Sequence, residues 1–180
     1  MKKLLFLVIP VLILSSISNA QAQYDYNWAV GFRVGEPVGF NLRKYFQNGD
    51  RAFDVNIGTY GLLYNNDRRY NNGEYKTVGL MIQGIYLFHH SLFGKDWGHV
   101  YYGFGGQVNS RKHFPDAWRN ESIKSVSKIS LGPTGTAGIE FKLPNNLAFF
   151  LDGGVYLEAL PSPFFLNGQV SGGIRINLVK

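Results

Sequence analysis

Ile129-Ser130-Leu131-Gly132-Pro133-Thr134-Gly135-Thr136-Ala137-Gly138-Ile139-Glu140-Phe141-Lys142-Leu143 is the stretch that decides the fold. A two-residue period puts Ile129, Leu131, Pro133, Ala137, Ile139, Phe141 and Leu143 on one side, and Ser130, Gly132, Thr134, Thr136, Gly138, Glu140 and Lys142 on the other. Successive side chains in a strand point to opposite faces, so this is a strand with one oily face and one small, polar face. The division recurs downstream, where Leu166, Val170, Ile174, Ile176 and Leu178 oppose Asn167, Gln169, Ser171, Gly173, Arg175 and Asn177. Between them, Leu147, Phe149, Leu151, Val155 and Leu157 oppose Asp152, Gly154, Tyr156 and Glu158. Upstream, Trp28, Val30, Phe32 and Val34 oppose Gly31 and Arg33, and Val38, Phe40 and Leu42 oppose Gly39, Asn41 and Arg43.

Read outward from this stretch, the chain holds eight strands separated by turn signals: Trp28 to Val34, Val38 to Phe46, Ala52 to Tyr60, Val78 to His89, Val100 to Asn109, Ile129 to Leu143, Leu147 to Leu157 and Leu166 to Leu178. Asn48-Gly49 and Pro144-Asn145-Asn146 mark tight turns, the first by supplying positive φ angles. Polar loops are expected from Gly61 to Thr77 and from Ser110 to Val126. No helical period stands out, and Gly, Asn, Asp, Arg or Lys interrupts every apolar run beyond the first, so the fold is all-β.

Composition narrows the function. The 180 residues are 45% hydrophobic and 17% charged, with 22 Gly and no Cys. The charge is too sparse for a disordered tail protein, and the missing Cys excludes disulfides, thiolate metal sites and a catalytic cysteine. Residues 1–22 read as a signal peptide, with Lys2 and Lys3 ahead of the apolar Leu4 to Leu14 and cleavage expected after Ala20 or Ala22. Residues 23–180 then form one domain. Without Lys2 and Lys3 the chain keeps 16 basic and 12 acidic residues, a formal +4, too small a surplus on an exported protein to imply a nucleic-acid partner.

Two closed barrels fit the alternation. A soluble periplasmic ligand-binding barrel hides the oily face, and its wet face should be rich in Lys, Glu and Thr. Here that face is largely Gly, Ser and Asn, residues that suit the crowded interior of an eight-stranded barrel. The expectation is an eight-stranded antiparallel up-and-down transmembrane β-barrel with its oily face to lipid, since only a closed barrel satisfies the backbone of strands in hydrocarbon. Trp28, Tyr45, Phe46, Phe53, Tyr60, Tyr86, Phe88, Trp97, Tyr102, Phe141, Phe149 and Phe165 lie near strand ends, as girdles at the two lipid boundaries require. The connections mostly alternate short and long, the tight Gly35-Glu36-Pro37 turn being the exception.

The run Gly31-Phe32-Arg33-Val34-Gly35-Glu36-Pro37-Val38-Gly39-Phe40-Asn41-Leu42-Arg43-Lys44-Tyr45-Phe46 resembles the first hairpin of the small outer-membrane β-barrels of Gram-negative bacteria, akin to the OmpA-type transmembrane domain. The likeness extends over about residues 28–178. It implies a protein of the Gram-negative outer membrane, with membrane lipid, lipopolysaccharide and the barrel-insertion machinery as partners. Such barrels commonly end in an aromatic residue. This chain ends Asn177-Leu178-Val179-Lys180 and keeps the Ile174, Ile176, Leu178 alternation.

Any chemistry should sit on the inward set, where Arg33, Arg43, Lys142 and Arg175 face Asp54, Glu140, Asp152 and Glu158. Four charges of each sign point to mutual pairing and a largely closed lumen, with a narrow channel or transport accessory along the same residues as the alternative. A second candidate set, for an external ligand or lipopolysaccharide phosphates, is the loop group Arg68, Arg69, Arg111, Lys112, Trp118, Arg119 and Lys124. A lipid A-modifying enzyme would draw on His89, His90, Ser91 and His113, but adjacent strand residues point to opposite faces, so the expectation is no catalytic site. His89, His90 and His99 match no ligand spacing, and neither metal nor cofactor is expected.

Overall fold

A computed structural model describes residues 27–61, 68–69, 73–76, 78–93, 95–115, 126–161 and 163–178. The expected signal peptide, residues 1–22, lies outside them. The described residues form ten strands: β1 (Trp28–Gly35), β2 (Val38–Phe46), β3 (Arg51–Tyr60), β4 (Arg68–Arg69), β5 (Gly73–Lys76), β6 (Gly79–Leu92), β7 (Lys95–Pro115), β8 (Val126–Lys142), β9 (Leu147–Glu158) and β10 (Phe165–Leu178). Eight of these, β1 to β3 and β6 to β10, pair with their neighbours in chain order, all antiparallel. β10 returns to β1 from Leu178 opposite Trp28 to Ser171 opposite Gly35, which closes the ring. A closed ring leaves no sheet edge to satisfy within a membrane.

The oily face points out. Phe40, Phe104, Ile129, Leu151, Ile174 and Ile176 are exposed on the outer wall, while Arg43, Arg175 and Glu140 are at most 1% exposed inside. This inversion removes the soluble periplasmic barrel, which would bury the first group and wet the second. A small apolar cluster, Ala29, Tyr45, Ala52, Ile85, Leu87 and Tyr101, sits inside among the polar groups, and Tyr60, Met81, Phe150 and Tyr156 are buried with it.

The connections separate the two rims. β2–β3, β6–β7 and β8–β9 turn tightly at one rim, where β1 also begins and β10 ends. In the first turn positive φ falls on Gln47 (54°) and Asn48 (56°) as well as Gly49 (88°), and in the last on Asn145 (61°) and Asn146 (59°). A left-handed pair of this kind matches the twist of the flanking strands.

The other rim departs from the sequence reading. The expected polar loop 61–77 contains the hairpin β4–β5, and the expected loop 110–126 shrinks because β7 runs on to Pro115 and β8 starts at Val126. β5 pairs with this extension of β7, Lys76 opposite Lys112, and β8 pairs with its other side, Ser127 opposite Lys112. The result is a wall standing on one side of the rim. Apolar patterning of period two fades where a strand leaves lipid, and residues 110–113 of β7 are polar on both faces, with Arg111 and His113 buried and Lys112 exposed, so this end carries no signal that separates it from loop.

Gly39 and Gly58 are cross-strand partners. A Cβ on Gly39 would lie 2.2 Å from the Ile57 carbonyl oxygen, and one on Gly58 2.1 Å from that of Val38. Both obstacles are backbone. Gly39→Ala is therefore expected to lower the urea midpoint of the folded barrel. Gly106→Ala, with nothing within 4 Å, should leave it unchanged. Gel mobility of unheated samples across a urea series checks both.

Candidate functional site

The lumen is filled by three tiers of side chains, each closed across its diameter. In a ring of eight, strands four places apart stand opposite each other, which makes β2 and β8, β6 and β10, and β3 and β9 opposing pairs.

The tier nearest the short-turn rim is ionic. Arg43 on β2 grips Asp54 with Nε to Oδ1 at 2.5 Å and Nη2 to Oδ2 at 2.7 Å, the forked geometry that makes Arg–carboxylate pairs strong. Its Nη1 donates across the barrel to Glu140 Oε2 at 2.9 Å. Arg175 donates through Nη1 to the same oxygen and through Nε to Asn41 Oδ1. The Tyr45 hydroxyl donates to Glu140 Oε1 at 2.9 Å, so both oxygens of that carboxylate are engaged. Arg43 also lies 4.8 Å from the Tyr101 ring centre and Arg175 3.8 Å from that of Phe150. Arg33 and Asp152 pair separately at 2.7 Å, with Ser171 and the Tyr101 hydroxyl completing the Asp152 shell.

The middle tier is neutral. Asn41 donates to Asn56, Asn56 to Gln83, Gln83 to Gln107 and Gln107 to Asn109, each step 2.8 to 2.9 Å. Gln83 Nε2 also lies 3.0 Å from Thr134 Oγ1 and 3.2 Å from Gln169 Oε1, the second of these spanning β6 to β10. The tier at the long-connection rim is aromatic and ionic. Tyr60 and Tyr156 meet edge to face at 6.3 Å across the barrel, the Tyr156 hydroxyl is 2.7 Å from Ser130 Oγ, and Arg111 Nη1 is 2.8 Å from Glu158 Oε2.

The structure puts Arg33, Arg43, Asp54, Glu140, Lys142, Asp152, Glu158 and Arg175 all inside the barrel. Arg111 joins them and is a correction to the loop assignment. β7 continues past it, the register turns it inward opposite Lys128, and it is 1% exposed. Among the described residues five buried cations, Arg33, Arg43, Arg111, Lys142 and Arg175, then face five buried anions, Glu36, Asp54, Glu140, Asp152 and Glu158. Lys112 points outward and is exposed. Arg68 and Arg69 form β4, whereas Trp118, Arg119 and Lys124 lie outside the described residues.

Tyr45 and Tyr60, read as girdle residues, are 1% exposed in the lumen. His89, the last residue of the expected fourth strand, is buried with Nε2 3.0 Å from Arg43 Nη1. His90 is exposed on the opposite face, stacked on Tyr102 at 5.8 Å. The sequence reading missed Glu36, which accepts the Gly61 N–H, and the amide tier. Strand parity supplied a signal for Gln107, which lies two residues from Asn109.

Neither the protein-family models nor the curated proteins contain a match to this chain. Among solved structures, the N-terminal β-barrel domain of Pseudomonas aeruginosa OprF superposes with a TM-score of 0.60 at 11% identity, covering 86% of this chain and 98% of that one. The chain has the fold of the eight-stranded outer-membrane β-barrels. Neisserial surface protein A matches with a TM-score of 0.49 at 13% identity over 83% of this chain and 94% of its own. Ail of Yersinia pestis matches with 0.46 at 14% over 84% and 94%.

Proposed function

We propose that the chain is an integral outer-membrane protein of a Gram-negative bacterium, closed by its own side chains and serving a structural or surface-interaction role. The observation that carries this reading is the stack of three diametric closures, Arg43 to Glu140, Gln83 to Gln169 and Tyr60 to Tyr156. Barriers in series add, and an ion must pass all three. Purified protein in planar bilayers is expected to show no conductance steps, and Gln83→Ala alone should not create them, because the ionic and aromatic tiers remain. Nanosiemens steps from the unmodified protein would establish the channel reading instead.

Short turns face the periplasm and the β4–β5–β7–β8 wall stands outside, as in barrels whose exterior connections are the longer ones. Lys112 and Lys128, both exposed on that wall, are the described cations suited to lipopolysaccharide phosphates or an external ligand. The outward Ile174, Ile176 and Leu178 at the end of β10 form the segment offered to the insertion machinery. We read no acyl-transfer centre here, since Ser91 is exposed at the rim while His89 is held inside against Arg43. Export with cleavage after Ala20 or Ala22 predicts a mature N-terminus at Gln21 or Gln23 respectively, which N-terminal sequencing of the membrane-extracted protein reads directly.

A further inference from the structure

We propose that the connection between β9 and β10, Ala159-Leu160-Pro161-Ser162-Pro163-Phe164-Phe165, is a membrane lip lying in the interfacial layer of the outer leaflet, beside the glycerol and the first acyl carbons of the lipid. The proposal rests on the reading of the chain as a membrane-spanning barrel. In sequence, the other long stretches at that rim are charged, with Arg68, Arg69 and Glu74 in 61–77 and Lys112, Arg119 and Lys124 in 110–126. Residues 159–165 include no ionisable side chain.

Backbone pairing ties the lip to the outward wall. The Ala159 and Leu160 N–H groups donate to the Leu131 carbonyl at 2.9 and 3.1 Å, and the Leu131 N–H donates to the Leu160 carbonyl at 3.0 Å. Leu131 and Leu160 are thus antiparallel bridge partners. Residues directly opposite across such a bridge share a face, so Leu160 continues the oily face of Leu131. Both are exposed, as are Ile129 on β8 and Leu166 on β10. Phe164, at 88%, is the most exposed large apolar side chain among the described residues. It also holds a left-handed φ of 65°, a conformation that a bulky residue rarely adopts. In water the strained backbone and the bare ring are both unfavourable, whereas contact with acyl chains removes the second and offsets the first.

The backbone of the lip suits lipid rather than water. A segment entering an apolar layer must give each N–H an acceptor within the protein. Pro161 and Pro163 carry no N–H, Ala159 and Leu160 donate to Leu131, and the Phe164 N–H donates to the Glu158 carbonyl at 3.0 Å. Connections shaped for water use Asn, Asp and Gly instead, as the turns at Asn48-Gly49 and Asn145-Asn146 do. A protein partner fits less well, because such contacts end in a polar rim and Ser162 is the one polar side chain of the stretch. Through Leu131 and Leu166 the lip instead runs without a break into the lipid-facing wall.

The chain has no Cys, so single cysteines can be labelled in the full mature protein without other changes. Phe164→Cys, Leu160→Cys, Leu151→Cys and Lys112→Cys each receive a nitroxide and are folded into vesicles of phosphatidylethanolamine and phosphatidylglycerol. Relaxation by oxygen, which partitions into acyl chains, is compared with relaxation by a water-soluble nickel complex. The oxygen-to-nickel ratio at Phe164 and Leu160 is expected to be several-fold above that at Lys112 and several-fold below that at Leu151. A ratio matching Lys112 at either residue would put the lip in water and overturn the proposal, and one matching Leu151 would overturn the interfacial depth. Spin–spin broadening at Phe164 that persists as the protein is diluted in lipid would seat a second copy there and overturn lipid as the occupant. Because the label replaces the ring, Phe164→Trp in a chain with Trp28→Phe, Trp97→Phe and Trp118→Phe gives an independent reading. Its emission should be quenched by lipid brominated near the top of the acyl chain and not by iodide, and the reverse would overturn the lip. Heat-modifiable gel mobility shows that each sample is a barrel, and a nickel-dominated label at Leu151 in such a barrel would overturn the membrane-spanning reading instead.

Discussion

Replacing Glu140 with alanine is expected to destabilise the folded barrel by about 3–5 kcal/mol, the cost of removing one partner from a buried ion pair. Glu140 is the acceptor that Arg43 and Arg175 share, and it also takes the Tyr45 hydroxyl. Its loss strands charge that cannot relax into water, because both guanidinium groups are fully buried. Arg43 keeps its fork to Asp54, so the larger part of the penalty falls on Arg175, whose next carboxylate oxygen, Asp54 Oδ2, is 3.9 Å away. Glu140→Gln retains an acceptor for Tyr45 and loses only the charge, so it should fall between the alanine variant and the unmodified protein. Replacing Arg43, Asp54, Glu140 and Arg175 together by apolar residues of similar volume should cost far less than Glu140→Ala alone, since no charge is left unpaired. Urea unfolding in detergent, followed by the mobility of the unheated protein, gives the order. A Glu140→Ala midpoint equal to that of the unmodified protein would mean that the cluster is hydrated and the lumen open.

What the sequence made legible depended on contrast between faces. β8 and β10 alternate cleanly, and the structure keeps that division: Ile129 and Ile174 outside, Glu140 and Arg175 inside. β6 gives no such contrast. Its outward Leu80, Ile82 and Phe88 are matched by inward Met81, Ile85 and Leu87, so parity is fixed there only by pairing with β3 and β7. Gln83, the hub of the middle tier, lies on that strand and stayed hidden for the same reason. Tyrosine is ambiguous in another way. An amphipathic ring serves equally at a lipid boundary or beside a buried carboxylate, and Tyr45 takes the second role by donating to Glu140. Arg111 shows where pattern ends: flanked by Ser110 and Lys112 it looks like loop, and only the pairing of β7 with β8 turns it toward Glu158.

The outward face provides the second large effect. Leu151 stands near the middle of β9, opposite Ile139 on β8 and Gly172 on β10, and is about half exposed on the outer wall. In hydrocarbon an arginine there has neither water nor a counter-ion, and Leu151→Arg is expected to cost about 2–4 kcal/mol. Leu166, the second residue of β10, lies close to the long-connection rim, where a long side chain reaches the headgroups, so Leu166→Arg should cost only about 0–1 kcal/mol. Folding into phospholipid vesicles over a urea series measures both. The comparison tests depth rather than burial, because Leu166 is the more exposed of the two, at 61% against 47%. A water-facing wall would tolerate arginine at either position, so equal and negligible costs would exclude lipid as the solvent of this face, and equal large costs would place both residues within hydrocarbon and raise the upper boundary of the membrane above Leu166.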